Sequence, residues 1–127
     1  MDNPTGVIDA PIGRDHRDPM RMAVVVDGKQ ARTHYAELGR FTDPVQVAEL
    51  ECRLESGRTH QIRVHLAAIG HPVVGDVSYG GQRDTFVMPR PFLHAGQLGF
   101  DHPVTGRPLL FESPLPADLA SVLARLR

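Results

Sequence analysis

Hydrophobic and polar positions alternate along this chain of 127 residues, switch to a longer period, and then alternate again. Ala48, Leu50, Cys52 and Leu54 fall on every second position within Val45–Leu54, the spacing of a strand with one face buried. Met22–Val26 is a short apolar run closed by Asp27-Gly28, a hairpin signal that predicts Ala31–Leu38 as its partner strand. Beyond Leu54 the period lengthens. Ile62, Leu66 and Ile69 stand at i, i+4 and i+7, the stripe of an amphipathic helix. Ser56 or Thr59 is placed to cap its start, and Gly70 and Pro72 to stop it. Leu93–Phe100 and Pro108–Glu112 read as two more strands around the turn His102-Pro103-Val104-Thr105-Gly106. Pro116 opens a last helix with the stripe Leu119, Val122, Leu123 and Leu126, and Arg125 and Arg127 sit where the helix dipole favours cations. Residues 1–21 are turn-rich around a short apolar piece, and poor order is expected there. The succession strands, helix, strands, helix predicts an α+β fold, a mainly antiparallel mixed sheet with flanking helices, over residues 1–127.

Charge changes this picture only locally. The formal net charge of −1 provides no global basic field, so a polyanion would have to be held by a local patch. Cys52 is the single cysteine, which excludes an intramolecular disulfide and fits a reducing compartment; its place in the alternating strand makes it a packed residue rather than a nucleophile. No apolar run approaches the roughly 20 residues of a membrane helix, and no charged-then-apolar leader pattern opens the chain. A cytoplasmic location is the expectation.

The local patch is Ser56–His65, SGRTHQIRVH, which crowds two arginines and two histidines beside a glutamine. Arg58 lies at the strand-to-helix junction, near the first-turn N–H groups, where both side chain and backbone suit an anion. Arg63 stands one turn further in, beside the apolar stripe, and a cation there needs an anionic partner. Two readings stay open: an ion pair to Glu51, Glu55 or Asp76, or the orientation of a catalytic carboxylate. His60 and Gln61 are candidate donors to a ligand or to a neighbouring loop. His60 and His65 are five residues apart, about 140° around a helix, so they do not form a metal pair on one face. With no H-E-x-x-H and no second cysteine, no metal is expected. Nucleophile-elbow, phosphate-loop and dinucleotide motifs do not occur.

The run Leu54-Glu55-Ser56-Gly57-Arg58-Thr59-His60-Gln61-Ile62-Arg63-Val64-His65 resembles the L-x-T-G-R-T-H-Q-I-R-V-H motif of the RluA-type ribosomal large-subunit pseudouridine synthase family, with Ser56 in place of Thr. Gly70-His71-Pro72-Val73-Val74-Gly75-Asp76 with Tyr79-Gly80 is similar to that family's G-H-P-I-x-G-D-x-x-Y-G continuation. Ala31-x-Thr33-x-Tyr35, Leu93-His94-Ala95, Phe100-x-His102-Pro103 and Pro114-Leu115-Pro116 resemble its flanking segments in the same order. The resemblance implies part of a catalytic domain that isomerises uridine to pseudouridine in RNA, expected to be ribosomal, without cofactor or metal and as a monomer when full-length. It implies that Arg63 holds a catalytic aspartate by a salt bridge, and that Arg58, His60, Gln61 and His65 face RNA.

The family's H-R-L-D-x-x-T-S-G segment, which carries that aspartate, and its K-x-Y segment do not occur in these residues. Arg14-Asp15-His16-Arg17-Asp18 lacks the required context, and Asp76 reads as a turn or structural carboxylate. The expectation is the C-terminal portion of a catalytic domain, inactive by itself, with apolar faces left uncovered. A catalytically silent RNA-binding domain and a truncated gene product are the alternatives. In a full-length form, Arg63→Ala is expected to cut turnover while leaving folding largely intact.

Overall fold

Strand propensity and alternation converge on the long central pair, β4 (Arg32–Phe41) and β5 (Val47–Leu54), which run antiparallel with a bulge between Glu37 and Gly39 in this computed structural model. The structure describes residues 3–55, 57–83, 86, 88, 90–101 and 103–127. A first strand, β1 (Thr5–Asp9), adds to the other edge of β4, giving the antiparallel order β1-β4-β5. One face of this sheet carries Ile8, Thr33, Tyr35 and Leu50 toward the core. The opposite face carries Arg32, His34 and Arg53, linked to Asp9, Glu51 and Glu55 by exposed ion pairs. Such a sheet is covered on one side and wet on the other.

Residues 1–21 contribute more than turns. Besides β1 they supply β2 (Ile12–Arg14), which pairs antiparallel with β3 (Met22–Val24). The Asp27-Gly28 signal is a turn, but it does not join β3 to β4. Gly28 N donates to Val25 O, and the chain then returns to β2, where Ile12 and Lys29 exchange backbone hydrogen bonds of 2.9 and 2.8 Å. The predicted partner strand, Ala31–Leu38, pairs instead with β1 and β5.

The helix α1 spans Gln61–Ala68. It ends as expected: Gly70 takes φ 83°, its N–H donates to Ala67 O, and His71 N–H donates to Leu66 O, a full Schellman closure. Its start differs. Thr59 makes no cap; His60 occupies the N-cap position in the left-handed region without a side-chain cap. Ser56 lies outside the described residues. The apolar stripe is also displaced, since Ile69 is exposed while Gln61, Val64, His65 and Leu66 are buried. Val64 packs with Ile12, Ala31 and Tyr79, and Leu66 packs with Ile8 and Val73, so α1 wedges between two small cores.

A short 3-10 turn (Val77–Tyr79) follows, then the hairpin β6 (Gln97–Asp101) and β7 (Pro108–Glu112), and α2 (Ala117–Ala124), opened by Pro116. His102 lies outside the described residues. Leu119 and Val122 bury the stripe of α2 as the periodicity predicts, and the Arg125 guanidinium lies 5.4 Å from the Phe86 ring centroid. The α+β class holds, with every strand pairing among the described residues antiparallel and the strands divided over three sheets. Leu98 and Phe111, directly paired on one face of the β6–β7 ribbon, stay exposed. A mostly apolar recess of about 620 Å³ opens between β5, α1 and α2.

Candidate RNA-facing site

The polar residues of the Ser56–His65 patch separate according to which side of α1 they leave. Gln61 and His65, four apart and therefore on one face, are buried against β4. The Gln61 side-chain amide donates to Arg32 O at 2.9 Å and to Thr33 Oγ1 at 3.0 Å. Thr33 Oγ1 is 2.7 Å from His65 Nδ1, and His65 Nε2 is 2.9 Å from Ala10 O. A carbonyl only accepts, so Nε2 carries the proton and Nδ1 accepts from the Thr33 hydroxyl. The direction of the whole chain, Gln61 to Thr33 to His65 to Ala10, follows from that one constraint. The expectation that Gln61 and His65 face RNA is corrected here: both are buried, and their donors and acceptors are used in joining α1 to β4 and to the β1–β2 connection.

Arg63 resolves the choice left open among Glu51, Glu55 and Asp76. Its Nε and Nη2 donate to the two carboxylate oxygens of Asp76 at 2.8 and 2.9 Å. Asp76 is fully buried, Arg63 is 21% exposed, and the hydrogen bonds from the pair push the guanidinium pKa above its ordinary value. The loop that delivers Asp76 is built by glycines. Gly75 adopts φ 83°, and a Cβ on Gly81 would run into Val73 O, so Gly81 permits a contact that no other residue could make. Backbone bonds Gly75 N to Gly81 O and Gly81 N to Asp76 O close the loop on itself. Because Arg63 balances a buried carboxylate, its removal is expected to cost stability as well as turnover.

The same loop presents Tyr79, whose buried ring organises the exposed side. The guanidinium carbons of Arg21 and Arg63 lie 4.6 and 5.0 Å from its centroid, and the His60 ring meets it edge-on at 5.9 Å. Tyr79 Oη accepts from Met22 N–H at 3.3 Å and lies 3.0 Å from His60 Nδ1. His60 itself has φ 55°, a left-handed conformation that costs a non-glycine residue about 1–3 kcal/mol, and such strain is concentrated at functional positions. Arg58 is exposed nearby in sequence; its Nε donates to Gln30 O and its backbone N–H to Gln61 Oε1. Arg58 and His60 are thus exposed, and Arg21, just ahead of β3, is exposed and shares the Tyr79 ring with His60. Sequence reasoning passed over Arg21 because its 58-residue separation from Tyr79 leaves no local signal. Among the described residues no group of three metal-ligating side chains is gathered. Cys52 is partly buried, and that burial raises its thiol pKa, consistent with a packing role.

A family model for RNA pseudouridylate synthase matches residues 1–68, more than half of the chain, ending at the last residue of α1. The chain belongs to that family. It is 57% identical over 123 residues to an RNA pseudouridine synthase of Chloroflexus aurantiacus, covering 97% of this chain and 38% of the relative. It is 53% identical over 129 residues to ribosomal large subunit pseudouridine synthase D of Nitrosomonas europaea, covering 96% of this chain and 37% of the relative. The solved structure of human RNA pseudouridylate synthase domain containing 1 superposes with a TM-score of 0.76 at 28% identity, over 90% of this chain and 49% of that one. The chain therefore spans about two-fifths of the length of the curated relatives it matches. The family match takes in Arg21, Arg58, His60 and Arg63, and the relatives' coverage extends through Asp76 and Tyr79. No helix among the described residues is long and apolar enough to cross a membrane.

Proposed function

We propose that these residues form one wall of an RNA pseudouridine synthase that isomerises uridine to pseudouridine in ribosomal RNA, the substrate class named for the Nitrosomonas relative. The observation that carries the reading is the exposure of Arg58 and His60, with His60 and Arg63 meeting on the Tyr79 ring, and Arg58, His60 and Arg63 all lying within the segment matched by the family. Arg63 uses Nε and Nη2 on Asp76, and Nη1 makes no hydrogen bond among the described residues. That edge is the one offered to the catalytic aspartate, which the family carries in its H-R-L-D segment. A cation beside that aspartate keeps it ionised at neutral pH. Arg58 and His60 hold the RNA strand while the target base leaves its stack, as chemistry at a glycosidic bond requires. The enzyme works in the cytoplasm, as a monomer, without cofactor or metal.

The test is a chimera in which these 127 residues replace the matched segment of the Nitrosomonas enzyme. Expressed in a strain lacking its own synthase of this type, it should leave a carbodiimide-stable adduct at a uridine of the large-subunit RNA. The Arg58→Ala chimera should lose most of that signal. A folded chimera that leaves every uridine of the RNA unmodified sinks the reading.

A further inference from the structure

The charges around Tyr79 do not balance. Arg63 is neutralised by the buried Asp76, but Arg21 is exposed and forms no ion pair with any described residue. The acidic groups nearest to Arg21 in sequence are otherwise engaged: Asp15 Oδ1 accepts from Arg17 N–H at 2.9 Å, and Asp18 Oδ1 from Met20 N–H at 3.1 Å. A guanidinium over the face of an aromatic ring keeps its outer N–H donors available while the ring holds it in place. The Tyr79 hydroxyl adds a second constraint. It accepts from Met22 N–H and lies 3.0 Å from His60 Nδ1, to which it can give its own hydrogen. Neutral His60 then carries its proton on Nε2. One phenol thus orders two donors that stand 39 residues apart in the chain.

We propose that Arg21 is a contact for the RNA backbone, held by the Tyr79 ring for a phosphodiester, and that Tyr79 is the positioning residue that presents His60 Nε2–H to the same strand. This rests on the reading of the ligand as RNA. The β2–β3 hairpin then acts as a second jaw opposite the Arg58–His60 loop, and Tyr79 is the hinge-point both share. Neither Arg21 nor Tyr79 reads a base; both act on position along the strand.

Binding of a labelled oligouridylate to the protein, followed by fluorescence anisotropy over a series of salt concentrations, tests this. Arg21→Ala should lower the slope of log affinity against log salt by about 0.7, the increment for one single-strand phosphate. Tyr79→Leu should lower the slope equally, since it removes the ring that holds Arg21. Tyr79→Phe should keep the slope, but two-bond 15N correlation spectra should show His60 changing from a single Nε2–H tautomer to a mixture. Arg53→Ala, on the solvent face of the β1-β4-β5 sheet, should change nothing. An unchanged slope in Arg21→Ala, with Arg58→Ala still weakening binding, overturns this proposal and leaves the RNA reading standing. A His60 tautomer indifferent to Tyr79→Phe overturns the positioning role. Failure of the unaltered protein to bind RNA at low salt overturns both readings.

Discussion

The two sides of α1 treat similar residues in opposite ways. On the sheet side, Gln61 and His65 are buried in a directional hydrogen-bond chain through Thr33. On the loop side, Arg58 and His60 stay exposed and are aimed by their contacts with Gln30 and Tyr79. Arg63 lies between, with its charge cancelled by Asp76 and its guanidinium over the ring of the exposed cluster. Burial converts a polar side chain into a structural tie, because a buried donor left without a partner costs more than the bond itself returns. Exposure leaves the same chemistry available to a ligand. The motif is therefore two sets of residues, Arg58 and His60 exposed just before α1, and Gln61 and His65 one turn apart on the face of α1 that is tied to β4.

The largest expected effect tests whether Arg63 belongs to the structural set. Arg63→Ala strands a buried carboxylate and should cost about 3–5 kcal/mol in urea unfolding. Combining it with Asp76→Asn should recover much of that loss; a single variant as stable as the parent would place Arg63 with the exposed group instead. Next is Thr33→Val, which keeps shape and strand propensity but removes the hydroxyl joining Gln61 to His65. It should cost about 1–3 kcal/mol by the same measurement. A neutral outcome would show that the buried chain of bonds contributes nothing.

The smallest effect lies on the solvent face of the sheet. The Glu55 carboxyl is held below its ordinary range, first by the hydrogen bond from His34 and then by the charge of Arg32. It therefore binds its proton less readily when folded. Its stabilisation is complete above the ordinary glutamate pKa of about 4.3 and is lost as pH falls through the lower folded value. Glu55→Gln should flatten the acid limb of the stability curve slightly between about pH 5 and pH 3. An unaltered limb would show that these exposed ion pairs are screened to nothing.

Alternation over Ala48–Leu54 and the turn around Thr105-Gly106 located β5 and the β6–β7 hairpin, and Gly70 and Pro116 located one end each of α1 and α2. These are signals carried by neighbours in sequence: backbone freedom at glycine, the fixed φ of proline, and the period of side chains about an axis. The resemblance of Leu54–His65 to the pseudouridine synthase motif was equally local, and the family match confirms it. Pairing was not legible. Asp27-Gly28 reads as a hairpin between β3 and β4, yet Lys29 returns to Ile12, because a turn sets the direction of reversal and not the strand it meets. Nor could sequence divide Gln61 and His65 from Arg58 and His60, since all four are polar and only the position of Thr33 decides which are buried. Arg21 reaches Tyr79, and Arg63 reaches Asp76, through contacts that exist only once β3, α1 and the Val73–Gly81 loop converge. By itself the sequence determined most of the strands and both helices beyond Met22, the end of α1 and the start of α2, and the family to which they belong, while the strands of residues 1–21 escaped it. Only the tertiary structure decided which of the motif's polar groups are consumed in holding the fold and which remain to meet a ligand, because burial is a property of neighbours distant in the chain.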